Sequence, residues 1–229
     1  MNTESEFVAH EPCPNCGSSD ANSRYSDGHT FCFSCHTYTP AENWTHTHTG
    51  MNTNERIQFL GSAEQLHKRR ISEKTNEFYR IYRHGNTLRF PYHDESGRVV
   101  GFKIKSKKKE FHYEGASTES LFGQHLFPTS GKRIVITEGE LDAASCYEVM
   151  SGWPMVSLPH GAASAKKDLQ KAIPFLQGYQ EIVLFFDNDE AGREATESAS
   201  GILPSGRVKV ARLENYKDAS DALQAGDSD

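Results

Sequence analysis

The chain has 229 residues, of which 36% are hydrophobic and 24% charged, and carries a formal net charge of −6. That length suits two unequal domains, and the negative balance excludes a protein that coats nucleic acid by charge alone, because non-specific affinity comes mostly from Lys and Arg neutralising phosphates. No run approaches the roughly 18 apolar residues of a membrane span, and Met1 to His10 is acidic and polar without the basic start and apolar core of a secretory signal, so the expectation is a soluble, cytoplasmic protein with no membrane partner.

Two Cys-x2-Cys pairs open the chain, Cys13-Pro-Asn-Cys16 and Cys32-Phe-Ser-Cys35. Zinc takes four thiolates in a tetrahedron when a hairpin folds between two such pairs. The Asp27-Gly28 step, flanked by Arg24-Tyr25 and Thr30-Phe31, supplies the hairpin. Cys13, Cys16, Cys32 and Cys35 are therefore expected to hold one structural Zn2+, with residues 1–36 as a small zinc ribbon. Two disulfides are the alternative and would need an oxidising compartment. Near the hairpin tip, Asp27 and His29 stand among Tyr25, Phe31 and Phe33, whose rings could stack on unpaired bases or merely form the ribbon's small core. Residues 37–54 are rich in Thr, His and Asn and are expected to be a flexible linker.

A first subdomain is expected over 55–127. It has helices at Ala63 to Arg70 and at Glu73 to Tyr82 with Ser72 as N-cap, then strands Thr87 to Tyr92 and Val99 to Ser106 joined by a turn at Ser96-Gly97. The span from Arg98 to Lys109 includes Lys103, Lys105, Lys107 and Lys108 and no acid, a basic strip suited to a nucleic-acid backbone. Over 128–229 the pattern alternates strand and helix. Strands are expected at Arg133 to Thr137, Met155 to Leu158, Glu181 to Phe186 and Val208 to Leu213. Helices are expected at Leu141 to Met150, at Ala165 to Phe175 ended by Pro174, at Glu190 to Ile202 and at Ala219 to Ala225. Cys146 falls on the first of these helices as a small buried apolar side chain. The fold class is α/β: a zinc ribbon followed by a domain whose parallel sheet is flanked by helices, with its active site at the carboxyl ends of the strands.

The acids agree with that rule. Glu138 follows one expected strand and Asp187 another, so both carboxylates fall on one edge of the sheet, with Asp189 two positions on. Carboxylates from different strands are what magnesium-dependent phosphoryl transfer needs. Glu140 and Asp142 are near enough to assist, Asp218 could complete the cluster, and Glu138 could instead serve as general base on an attacking hydroxyl.

Glu138-Gly139-x-x-Asp142 followed by Asp187-Asn188-Asp189-x-x-Gly192-Arg193 resembles the two signatures of the Toprim domain, shared by bacterial-type primases, type IA and II topoisomerases and some nucleases. With the zinc ribbon and the string Ser26-Asp27-Gly28-His29-Thr30-Phe31-Cys32, the chain resembles more narrowly the primase half of bacteriophage primase-helicases of the T-seven type, from about Pro12 to Ala222. The resemblance implies a DNA primase, a nucleotidyltransferase that makes short RNA primers on single-stranded DNA from ribonucleoside triphosphates. In that reading the ribbon recognises template through Asp27 and His29, the remainder is an RNA-polymerase domain, and Lys103, Lys105 and Lys109 hold nucleotide or template. Glu138, Asp187, Asp189 and Asp218 hold magnesium or manganese, and His160-Gly161-Ala162 matches a further shared loop near the site. A replicative helicase, fused or separate, and a DNA polymerase are the expected partners. No Gly-x4-Gly-Lys-Ser/Thr motif occurs, so helicase activity is not expected of these residues. The rival readings are a Toprim nuclease using the same acids with water, and a non-catalytic single-strand-binding module. A topoisomerase is disfavoured by the room left for a tyrosine-bearing domain.

Overall fold

The computed structural model describes residues 7–14, 16–26, 28, 30–32, 34, 38–39, 60–94, 97–108, 110–116 and 120–227. They fall into two compact units, Met1–Arg56 and Ile57–Asp229.

In the first unit, β1 (Phe7–Glu11), β2 (Asn22–Tyr25), β3 (Thr30–Cys32) and β4 (Tyr38–Thr39) form an antiparallel sheet in that order. The expected hairpin is the β2–β3 connection, where Gly28 takes φ 90° and donates its N–H to the Tyr25 carbonyl at 2.9 Å. Strand β4 lies inside the segment expected to be linker, so the ribbon's pairing runs past position 36. The rest of that segment lies outside the described residues.

In the second unit, α1 (Glu73–Tyr79) precedes an antiparallel sheet of β5 (Tyr82–His84), β6 (Thr87–His93), β7 (Val99–Ser106) and β8 (Phe111–Gly115). Ser72 caps α1 as expected, accepting the Thr75 N–H at 3.2 Å. The helix expected at Ala63 to Arg70 is absent. Ser62 pairs instead with Arg83, and Leu66 bridges Ile71, leaving a single 3-10 turn at His67–Arg69 closed by Arg70 at φ 55°. Arg80, at φ 56°, likewise stops α1 short of Tyr82, which enters β5.

The alternating half follows: β9 (Gly131–Thr137), α2 (Glu140–Val149), β10 (Met155–Ser157), α3 (Ala165–Leu176), β11 (Tyr179–Phe185), α4 (Glu190–Ser200), β12 (Val208–Val210) and α5 (Ala219–Ala225). Its sheet is parallel, in the order β10-β9-β11-β12. Both faces are covered, which explains the near-continuous apolar strands. Ile134, Ile136, Ile182 and Leu184 point to one side and pack with Leu169, Leu176 and Ala195 of α3 and α4. Val135, one position out of phase, points to the other side, among Leu141, Ala144, Phe90, Tyr92 and Phe122. Pro174 does not end α3, which runs on to Leu176; so near a C-terminus the missing N–H costs one hydrogen bond without breaking the helix.

Candidate active site

Thr137 stands opposite Phe185 in the parallel pairing of β9 with β11, so the chain leaves both strands at the same edge, with Glu138 and then Asp187 just beyond. The turn into each following helix depends on a glycine. A Cβ on Gly139 would lie 2.8 Å from Asp142 Oδ2, and one on Gly192 would lie 2.0 Å from the Asp187 carbonyl oxygen. At Gly192 the close atoms are backbone, which a larger residue would push away, whereas at Gly139 they belong to the Asp142 side chain. Asp189 caps α4, accepting the Gly192 N–H at 3.0 Å. Asp218 caps α5, accepting the Asp221 N–H at 2.7 Å.

The electrostatics of these acids are uneven. Burial, then the neighbouring Asp187, pushes the Glu138 carboxyl up, although the backbone N–H groups of Ala162 and Asp187 work against the rise. Glu138 Oε2 is buried with no hydrogen-bond partner. Burial also raises Asp187, against the pull of Lys217. Asp142 is raised well above the usual carboxylate range by burial and then by Asp218 and Asp187, while its Oδ1 accepts the Ser220 N–H at 3.1 Å. Asp189 is lowered, first by the Gly192 N–H and then by Lys217. Lys217 Nζ lies 3.1 Å from Asp187 Oδ2 and 3.1 Å from Asp189 Oδ2, contacts that hold the ammonium more firmly charged than usual. An oxygen-only donor set with one buried oxygen unsatisfied suits a hard divalent cation. Glu138, Asp187 and Asp189, with Asp218 nearby, carry the donor type of a magnesium site, while among the described residues the ribbon cysteines alone form a close-set cluster of three ligand atoms.

A second polar group adjoins the acids. Glu140, at the start of α2, is buried and accepts from Lys103 Nζ at 2.8 Å and from the Tyr92 hydroxyl at 2.6 Å. Lys103 Nζ also donates to the Pro159 carbonyl at 2.9 Å, as does the Tyr113 hydroxyl at 3.0 Å. The next residue, His160, is held through Nδ1 by Asp168, at 3.0 Å from Oδ1. A Cβ on Gly161 would come within 3.9 Å of Glu138 Oε1, so this loop abuts the acids.

The expected basic strip is not one surface. Arg98 turns back to Asp94, and Lys103 is buried in the Glu140 network. Lys105 shares the Lys103 face of β7, opposite Phe111, whose ring lies 5.4 Å from Lys105 Nζ. Phe111 and Tyr113 are 48% and 45% exposed, so this face offers rings to solvent beside cations. Lys109, Asp27, His29 and Cys35 lie outside the described residues. Nothing in the sequence singled out Lys217, Tyr92, Tyr113 or Asp168. The partners of Lys217, Tyr92 and Tyr113 are distant in the chain, that of Asp168 lies eight positions back, and the sole hint was Lys217 standing next to Asp218.

In the ribbon, sulfur atoms of Cys13, Cys16 and Cys32 lie within 4.8 Å of one another. Cys16 Sγ and Cys32 Sγ are 3.7 Å apart, well beyond a disulfide bond of about 2.05 Å. Two thiolates on one tetrahedral zinc, each at about 2.3 Å, stand roughly 3.8 Å apart. The cluster fits zinc.

Residues 9–42 match the family described as the zinc-binding domain of primase-helicase, and residues 135–223 match the family described as Toprim-like. The crystal structure of the primase fragment of the bacteriophage T7 primase-helicase superposes with a TM-score of 0.68 at 35% identity, covering 96% of each chain. The chain belongs to the T7-type primase family. Within this family, the DNA helicase/primase of Enterobacteria phage T3 is 37% identical over 98% of this chain. The chain spans 42% of that relative's length. The E. coli primase catalytic core, at 16% identity and a TM-score of 0.54, shares the fold. Among the described residues, no helix is long and apolar enough to cross a membrane.

Proposed function

We propose that the chain is a DNA primase, a nucleotidyltransferase that makes short RNA primers on a single-stranded DNA template from ribonucleoside triphosphates. The observation that carries this reading is the convergence of Glu138, Asp187 and Asp189 at adjacent strand ends, with Glu138 Oε2 buried and unsatisfied. Glu138, Asp187, Asp189 and the neighbouring Asp218 would hold magnesium, or manganese in its place. When bound, the metal supplies Lewis-acid neutralisation of the triphosphate. In the alternative role Asp187, Asp189 and Asp218 hold the metal without it, and Glu138, whose carboxyl burial and Asp187 push up, takes the proton from the attacking 3′-hydroxyl. Glu140, tied by Lys103 and Tyr92, fixes the start of α2 and so the direction in which Glu138 leaves β9.

Template is assigned to the face of β7 and β8 that carries Lys105, Phe111 and Tyr113, since rings beside cations hold unpaired bases without reading their sequence. Lys109, which lies between the two strands in sequence, would supply a further cation. Sequence preference is assigned to the ribbon: Cys13, Cys16, Cys32 and Cys35 would hold one structural zinc, and Asp27 and His29 would contact bases. A related bacteriophage T7 structure is described as the lagging-strand DNA polymerase interacting with primase domains bound to an RNA/DNA hybrid. By that likeness a DNA polymerase is a partner, and by the likeness to the phage T3 DNA helicase/primase a replicative helicase is another, in the host cytoplasm.

The test incubates the protein with mixed single-stranded DNA, the four ribonucleoside triphosphates and magnesium. Short oligoribonucleotides support the reading. Metal-dependent loss of the template without RNA would identify a nuclease instead.

A further inference from the structure

We propose that Lys217 is a built-in counter-ion that a divalent cation must displace from Asp187 and Asp189, so that this lysine sets the metal concentration at which the site loads. The inference rests on the metal-dependent reading above. Lys217 Nζ bridges the two acids, 3.1 Å from Asp187 Oδ2 and 3.1 Å from Asp189 Oδ2. Magnesium binds carboxylate oxygen at about 2.1 Å in a strict octahedron. An ion on either oxygen would therefore take the space on which the ammonium relies, and two cations so close repel strongly.

The lysine cannot drift away from the acids it bridges. Its carbonyl accepts the Asn188 N–H at 2.6 Å, so its backbone is hydrogen-bonded to the residue between the two acids. Asn188 Nδ2 donates in turn to the Leu213 carbonyl at 2.9 Å, closing the other side of the loop. The next residue, Asp218, is fixed as the cap of α5. A tethered cation of this kind competes with metal at a constant, high local concentration. The side chain is 53% exposed, leaving the ammonium a path into solvent when displaced. Its role is not that of holding the turn: Asp189 is already positioned by the Gly192 N–H, and the turn by the Asn188 backbone bond.

The test titrates Mn2+ alone into the full chain and follows free Mn2+ by electron paramagnetic resonance, comparing wild type with Lys217→Met, Lys217→Arg and Lys132→Met. Lys132 is an exposed cation at the far end of β9 and controls for net charge. Lys217→Met should bind Mn2+ about fivefold more tightly or better, the loss of its two partly exposed ion pairs. Lys217→Arg and Lys132→Met should stay within about twofold of wild type on the same scale. The gain in Tm on adding Mn2+ should also be larger in Lys217→Met than in wild type. Equal or weaker Mn2+ binding by Lys217→Met, with wild type binding normally, overturns the inference and leaves the metal reading standing. Wild-type Mn2+ binding that Asp187→Asn does not change would overturn both.

Discussion

A Cβ on Gly192 would lie 2.0 Å from the carbonyl oxygen of Asp187, and the same glycine gives its N–H to the carboxylate of Asp189. One small residue thus sets the spacing of both acids. Gly192→Ala should push the first turn of α4 off the strand end, costing about 1–3 kcal/mol as overpacking does and more in primer synthesis than in template binding. Urea unfolding checks the first effect and a synthesis assay the second; an alanine variant of wild-type stability would show that the turn relaxes freely.

The Glu138 carboxylate is stabilised poorly in the folded chain. Burial and Asp187 raise its pKa above the unfolded value, so protonation favours the fold, and that contribution is full below the unfolded pKa and lost as pH rises through the folded one. Glu138→Gln cannot suffer this loss. In chelator, its Tm should exceed that of wild type at pH 8, with the difference shrinking toward pH 4. A variant that melts below wild type at pH 8 would contradict the assignment of burial as the dominant cause.

His93 and His125 stack at 3.4 Å between ring centroids, and burial pushes His93 down to about 3 and His125 down to about 4. His93 has no hydrogen-bond partner at either ring nitrogen. Both groups stay neutral in the fold while the unfolded chain takes up protons below about pH 6.5. Stability should therefore fall as pH drops from there toward 4, with each histidine adding up to about 1.4 kcal/mol per pH unit. His93→Gln should lower that slope by about one proton. A slope unchanged between pH 5 and 6 would mean that the pair is hydrated.

Lys103 was expected to face phosphate, yet its ammonium is buried against Glu140 and Pro159. Lys103→Met leaves a buried carboxylate with Tyr92 as its remaining hydrogen-bond partner there, and should cost about 3–5 kcal/mol. Adding Glu140→Gln should restore most of it. Additive losses in this double-mutant cycle would show that the two side chains do not act as a pair. The fold of any Lys103 variant needs measuring before its activity is read as a substrate contact.

The acids were legible in the sequence because two periodic signals fix them: apolar runs define β9 and β11, and parallel pairing then delivers the next residues of each, Glu138 and Asp187, to one edge. Asp189 and Asp218 stand directly before the helices expected from Glu190 and Ala219, and the structure makes them the caps of those helices. Strand β8 was not read, although Phe111 and Tyr113 alternate with His112 and Glu114: the run is five residues long and lacks the aliphatic content of a core strand, and all five residues are exposed. The false helix at Ala63 to Arg70 has the opposite cause: its residues favour helix locally, but the bridges of Ser62 with Arg83 and of Leu66 with Ile71 interrupt it, leaving one 3-10 turn. The bridge from Lys217 to Asp187 and the hold of Asp168 on His160 are contacts of side chains that no local pattern brings together.

The most direct test of the account compares Glu138→Gln with wild type for oligoribonucleotide synthesis on single-stranded DNA in magnesium, with template binding measured in parallel. Binding should stay within about twofold of wild type and RNA synthesis should fall by about 100-fold or more, the loss of a carboxylate that holds the metal or takes the proton. Undiminished RNA from the variant would remove Glu138 from the chemistry and contradict the assignment of these strand ends as the active site.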